Sequence, residues 1–320
     1  MHRSLRAWPV LLLLSGCGSE SEPESEPGSS TTSAAGSASE TASETGSGAG
    51  TNPGSGPGPD SGADTSSGAG TESEADSAPD PDPDPETGQP ASSALSDEFD
   101  DPSTLANWRQ WHQVAEVEPR HDLLDIDLTN PGMLTVRPRT SGWFGDYEGP
   151  LLYKMIEGDF VIEAWVAASK IGDPSAPPDE QFNSVGLLAR DPVTGEGQAN
   201  WIMASLGRQE GVRVASEGKT TVDSQSVLEL IDGPRRGRLR ICRVGSRFVI
   251  ARRLEGEGAF METQSYDRPD LPDTLQVGMV ATGWNSSVPQ PDFSRTPDIE
   301  GTIDYVHFSA PASEADCTAE

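Results

Sequence analysis

From Phe160 the chain alternates in character at every second residue. Phe160, Ile162, Ala164 and Val166 share one face, and Val161, Glu163, Trp165 and Ala167 the other. A period of two predicts a half-buried β-strand. Just ahead, Gly158-Asp159 supplies a turn, and Leu151 to Met155 reads as the partner strand of a hairpin. The same alternation recurs on both sides. His121 to Leu128 sets Leu124, Ile126 and Leu128 against Leu123, Asp125 and Asp127, and Asn130-Pro131-Gly132 turns the chain into Met133 to Pro138. Further strands are predicted at 184–190, 199–206, 211–216, 222–230, 238–244, 247–253, 275–281 and 301–309, with 95–101 as a leading edge strand. No window keeps a helical period over three turns. Many short strands spaced by turn residues predict an all-β fold, a single antiparallel β-sandwich.

Composition confines that sandwich to part of the chain. Residues 18–94 are mostly Ser, Gly, Thr, Ala, Pro and acids, with no Lys or Arg. Such a segment buries too little apolar surface to offset its ordering entropy, and is expected to be a disordered acidic linker. It closes on Pro79-Asp80-Pro81-Asp82-Pro83-Asp84-Pro85, where alternating prolines and like charges favour an extended spacer. The expected layout is a leader at 1–17, the tether at 18–94, the sandwich at 95–310 and a tail at 311–320. With a formal net charge of −30, the 320-residue chain is a poor partner for nucleic acid.

Met1 to Cys17 carries Arg3 and Arg6, then a short apolar run and small residues, the pattern of an export signal too short to span a bilayer. Leu14-Ser15-Gly16-Cys17 resembles the bacterial lipobox. The resemblance implies cleavage before Cys17 and lipidation there. Gly18 after it is similar to lipoproteins sent on to the outer membrane, so the membrane would be met through the lipid anchor only. With Cys17 modified, Cys242 and Cys317 remain as an even pair in an oxidising compartment. They are read either as a disulfide or as one buried core thiol and one tail thiol.

Phe99, the hairpin GPLLYKMIEGDFVIEAWV, VGLLARDP from Val185 to Pro192, LRICRVGSRFVIARR from Leu239 to Arg253 and the closing GTIDYVHFS together resemble the concanavalin A-like lectin/glucanase jelly roll. Within it they resemble the non-catalytic modules appended to bacterial glycoside hydrolases and the DUF1349-like domains. These motifs are structural and imply fold more than ligand.

Jelly-roll glucanases resemble one another in a Glu-x-Asp-x-x-Glu strand, since retaining hydrolysis needs two carboxylates about 5–5.5 Å apart. Here that strand offers Glu163 alone, with Trp165 where a second acid is needed. The nearest substitute, Asp125 and Asp127, reads as a solvated outer face. Gly218-Lys219-Thr220 mimics the end of a P-loop, but Arg213 stands where its first glycine belongs and no helix follows. His112, His121 and His307 lack zinc spacing. No cofactor is expected beyond a structural calcium, for which Asp97 and Asp304 match positions that related jelly rolls use. Sugar rings need aromatic faces and fixed polar groups. Trp143, Trp201 and Trp284, with Arg190, Glu163 and Asn285, are the candidates, against ordinary core packing for each tryptophan. Arg190 is read as a ligand donor or as the partner of Asp191 or Glu163. Eight arginines between Gly233 and Leu254, with no acid among them, suit either an anionic polysaccharide or cross-strand pairing. The expectation is a lipid-anchored, non-catalytic domain that binds polysaccharide or other glycan. A glycoside hydrolase or lyase of the same class, and a structural or protein-interaction domain of the cell envelope, are the alternatives.

Overall fold

The computed structural model describes residues 92–320 apart from 194 and 289. The leader, the lipobox cysteine and the tether fall outside the described residues. In chain order the strands are β1 (Arg109–Gln110), β2 (His121–Ile126), β3 (Leu134–Pro138), β4 (Leu151–Glu157), β5 (Phe160–Lys170), β6 (Asn183–Arg190) and β7 (Trp201–Arg208). There follow β8 (Val214–Val222), β9 (Gln225–Asp232), β10 (Arg236–Val244), β11 (Arg247–Leu254), β12 (Met261–Asp267), β13 (Thr274–Thr282) and β14 (Ile299–Ser309). They form two seven-stranded antiparallel sheets. Sheet I has the order β1-β4-β13-β6-β7-β8-β9, and sheet II the order β12-β11-β10-β5-β14-β3-β2.

The period of two explains the core. Ile162, Ala164 and Val166 of β5, Ile241 of β10 and Val306 of β14 point from sheet II into one buried cluster. Leu187 and Ala189 of β6, Ile202 and Ala204 of β7 and Val277 of β13 meet them from sheet I. The hairpin between β4 and β5 turns at Gly158, whose φ of 75° lies in the left-handed region that glycine tolerates.

Several expectations are corrected in detail. Residues 95–101 form no strand: only Asp97 bridges to Val306, and Phe99 takes a φ of 57° that turns its ring into the core. β2 ends at Ile126, and Leu128 beyond it is exposed. Asp127, at a φ of 61°, accepts from Gly132 N (2.7 Å), so it sits in the turn and does not share a strand face with Asp125. Gly218-Lys219-Thr220 lies in the middle of β8, which runs on to Val222 and folds through Asp223 and Ser224 straight into β9. Both turn residues have positive φ, as a two-residue hairpin requires. Four contacts hold the turn there: Ser224 Oγ accepts from Ala199 N and bonds Asp146, Ser224 N donates to Ala199 O, and Asp223 N donates to Asn200 Oδ1. The polar edge strand β12 carries no apolar alternation and was not foreseen.

Cys242 of β10 and Cys317 are joined by a disulfide, which pins a short 3-10 turn (Glu314–Cys317) to the outer face of sheet II. Arg240 holds the same segment through the carbonyls of Cys317 (3.2 Å) and Ala319 (2.6 Å).

Candidate functional site

Over its central strands β13, β6 and β7, sheet I buries both of its faces. On the side away from the core, Gln276, Arg190, Trp201 and Thr221 stand in register across β13, β6, β7 and β8. Leu188 and Met203 form the next rung. A strap of residues 140–149 covers them. It is bonded at Gly283 beyond β13, where Ser141 and Gly283 exchange backbone bonds, and at the far edge, where Gly145 N donates to Ser226 Oγ (2.8 Å). Asp146 accepts there from Gly197 N. Between these anchors Trp143 drops onto the sheet, packs edge-on against Trp201 at 6.2 Å and donates its indole N–H to Pro150 O (3.3 Å). Trp111, Leu151, Tyr153, Leu188, Ala199, Met203 and Val280 complete this second apolar cluster.

Two ion pairs are sealed into it. Arg190, 1% exposed, meets Glu148 of the strap at 2.9 Å and lies under the rings of Trp143 (5.3 Å) and Trp111 (5.7 Å). Its Nε and Nη1 have no hydrogen-bond partner, so the two indole faces are what stabilise that side of the guanidinium. Burial pushes the Glu148 carboxyl above its usual range, although Arg190 and Arg120 pull it down, and burial lowers Arg190. Further along β8, Lys219 pairs with Glu217, both buried, and donates to Trp143 O (3.0 Å).

Above these pairs the strap offers aromatic groups to solvent. Phe144 is 52% and Tyr147 42% exposed. Tyr147 meets the half-buried Trp284 edge-on at 6.2 Å, and Phe182 meets Trp284 from another side at 6.3 Å. Trp284 is fixed by Asn183, which accepts from its backbone N–H (2.8 Å) and donates to its carbonyl (3.3 Å). Glu180 bonds Ser286 at 2.8 Å, and Asn285 accepts from Ser287 N (3.0 Å) beside it. The patch is thus three aromatic rings in contact, with Phe144 bridged to Tyr147 along the strap, and a polar margin on the loops at the end of sheet I where β6 begins and β13 ends.

The candidate residues divide accordingly. Trp284 and Asn285 lie in this patch. Trp143 and Trp201, each 1% exposed, do not offer their faces to a ligand, because the strap and the sheet use them as packing. Arg190 pairs with Glu148, and neither Asp191 nor Glu163 is its partner. Glu163 lies on the outer face of the other sheet, where it accepts from Tyr305 Oη (2.9 Å) and Arg240 Nη2 (2.6 Å). Asp125 is spent on Thr129, accepting from its N (3.0 Å) and Oγ1 (2.7 Å). Phe144, Tyr147 and Phe182 were not singled out, although GWFGDYEG packs three aromatics among glycines and acids.

Calcium does not fit the two aspartates offered for it. Asp97 Oδ1 accepts from Phe99 N (3.0 Å) and Thr104 Oγ1 (3.2 Å), and its Oδ2 from Trp108 Nε1 (2.9 Å). Asp304 is exposed in the bulge of β14. Among the described residues no group of three or more His, Cys, Asp or Glu is placed to hold a metal ion. The arginine island is dispersed by the same alternation that made the sheet. Arg236 pairs with Glu255 (2.7 Å), Arg253 with Glu320 (3.2 Å) and Arg240 with Glu163 (2.6 Å) on the outer side. Arg252 points inward to Ile231 O (3.1 Å), and Arg243 to Pro272 O (2.8 Å).

Two antiparallel seven-stranded sheets with this core define a concanavalin A-like β-sandwich. Xylan beta-1,4-xylosidase from Bacillus halodurans C-125 superposes with a TM-score of 0.50 at 15% identity, over 72% of this chain and 41% of that enzyme, so the chain spans about two-fifths of its length. The endo-beta-1,3-glucanase of Pyrococcus furiosus superposes with a TM-score of 0.43 at 13% identity, over 67% of this chain and 92% of that one. Basic winged bean lectin superposes with a TM-score of 0.41 at 12% identity, over 65% of this chain and 94% of that one. No protein-family model matches the chain, and no curated protein sequence matches it.

Proposed function

We propose that the sandwich is a carbohydrate-binding domain without catalytic activity, and that its ligand is received by Phe144, Tyr147, Phe182 and Trp284. The observation that supports this is the half-buried Trp284, wedged between Tyr147 and Phe182 and fixed through its backbone by Asn183. Rigid aromatic faces beside amide and carboxylate groups are what a pyranose ring needs, apolar on its faces and hydroxylated at its edge. Export by the leader, lipidation at Cys17 and a location at the outer membrane complete the reading, with the tether carrying the domain clear of the lipid surface. Labelling with a palmitate analogue that Cys17→Ser abolishes is the outcome expected for the anchor.

One observation favours hydrolysis as the second reading: Glu148 is held above the usual carboxylate range by burial, as a general acid would be. Against it, Glu148 and Glu217 are each already paired with a base. Calorimetric titration with soluble xylan, β-glucan, mannan and galactan separates the readings. Binding to at least one polymer, weakened about tenfold or more by Trp284→Ala and by Tyr147→Ala, is expected. No binding, or reducing-sugar release that Glu148→Gln abolishes, would overturn it.

A further inference from the structure

The outer face of sheet II carries a second arrangement of aromatic and polar groups that the Trp284 patch does not use. Arg238, Trp165 and Tyr305 stand in register across β10, β5 and β14. Beside them His307 stacks on Tyr305, centroids 4.3 Å apart and planes 24° from parallel. Trp165 and Tyr305 are half-buried, while the side chains of His307 and Arg238 are 47% and 38% exposed. Next to this platform a cleft of about 220 Å³ opens between the sheet and the disulfide-pinned C-terminal segment, lined by Glu163, Arg240, His307, Pro311, Asp316 and Glu320.

The polar groups of the cleft are held by their neighbours: Glu163 by Arg240 and Tyr305, Asp316 by the backbone N–H groups of Ala312 (2.7 Å) and Ser313 (3.0 Å), and Glu320 by Arg253. Arg240 Nε is buried with no hydrogen-bond partner, and its guanidinium lies over the Phe260 ring, 3.8 Å from the centroid. The cleft is smaller than the roughly 300–1,000 Å³ that receive drug-sized ligands, which leaves room for a single ring.

From the aromatic platform and the polar cleft that opens beside it, we infer a second ligand site on sheet II for one polyhydroxylated ring, a pyranose unit of a glycan. The ring would lie against Trp165 and Tyr305 with its hydroxyls toward Glu163, Arg240 and His307. The site shares no residue with the Trp284 patch and stands or falls independently of it.

The test is 15N-tryptophan NMR of the full chain, with the Trp165 indole signal identified by its loss in Trp165→Phe. The probes are the methyl pyranosides of xylose, glucose, galactose and mannose. At least one is expected to move the Trp165 signal saturably. His307→Ala and Arg238→Ala, both at exposed side chains, should weaken that response about fivefold, the worth of one aromatic or cation–π contact. Trp284→Ala should leave it unchanged. No saturable movement with any of the four glycosides overturns the site. So does a response to glucuronate alone, which would mark an anion site, or movement with protein concentration alone, which would mark contact between copies of the chain.

Discussion

At the scale of single residues, burial of titratable groups sets how the fold responds to acid. His121 is half-buried, edge-on to His112 at 5.0 Å, and its imidazole is lowered from 6.5 to about 4, first by burial and then by the charges of His112 and Arg139. In the unfolded chain it takes up a proton near 6.5, while the folded chain resists until about 4. Its contribution is therefore complete above pH 6.5 and is lost as pH falls toward 4, by about 3 kcal/mol at most. Urea unfolding at pH 7 and pH 4 should show that fall, and His121→Phe should flatten it. The residues that carry the Trp284 patch were only half legible at this scale. An aromatic in a Gly-rich loop marks an exposed ring only when nothing lies over it, and Trp143 and Trp284 have near-identical local sequence signals. One anchors a strap and the other caps it, a difference made by contacts with Arg190, Trp201 and Asn183 far away in the chain.

Strands are the scale at which the sequence speaks most clearly. The alternation in β5 predicted which side chains face the core, because a period of two leaves no choice once one face is buried. Two elements escaped for physical reasons. β12 is an edge strand whose inward positions include Gln264, so its pattern reads as polar. In β8 a central Gly-Lys-Thr looks like a loop, yet Gly218 has a packing reason to be there: a Cβ would sit 1.9 Å from the Oε1 at the end of the flexible Gln264 side chain, which crosses from the other sheet. Gly278 makes a stronger case, since its Cβ would lie 1.9 Å from Leu152 O and 2.7 Å from the Cα of Tyr153, both backbone atoms. Gly278→Ala must push β4 and β13 apart and is expected to cost about 3 kcal/mol, at the upper end of overpacking. Gly258, with nothing within 4 Å of its Cβ position, is the control and should change the thermal midpoint little when replaced by alanine.

For the molecule as a whole, the link between Cys242 and Cys317 spans 75 residues and closes β10 onto the end of the described chain. Its removal by Cys317→Ser should lower stability by roughly 2–4 kcal/mol, as an unbridged unfolded chain regains loop entropy. The C-terminal segment then depends on Arg240 and on the exposed Arg253–Glu320 pair, so a Glu-specific protease should cut at Glu314 faster than in the parent, as mass spectrometry would register. Cys242 and Cys317 are visible as residues in the sequence, but the wall they build is not, because a tail folded back on a sheet leaves no periodic trace.

The Trp284 patch belongs to sheet I and the Trp165 platform to sheet II, with the whole apolar interior between them. Two such stations facing opposite ways cannot grip neighbouring units of one short oligomer. With both occupied, a single molecule becomes a rivet between separate polymer strands. Mixtures with a long glycan would then cross-link best near matched stoichiometry and loosen again when either component is in excess.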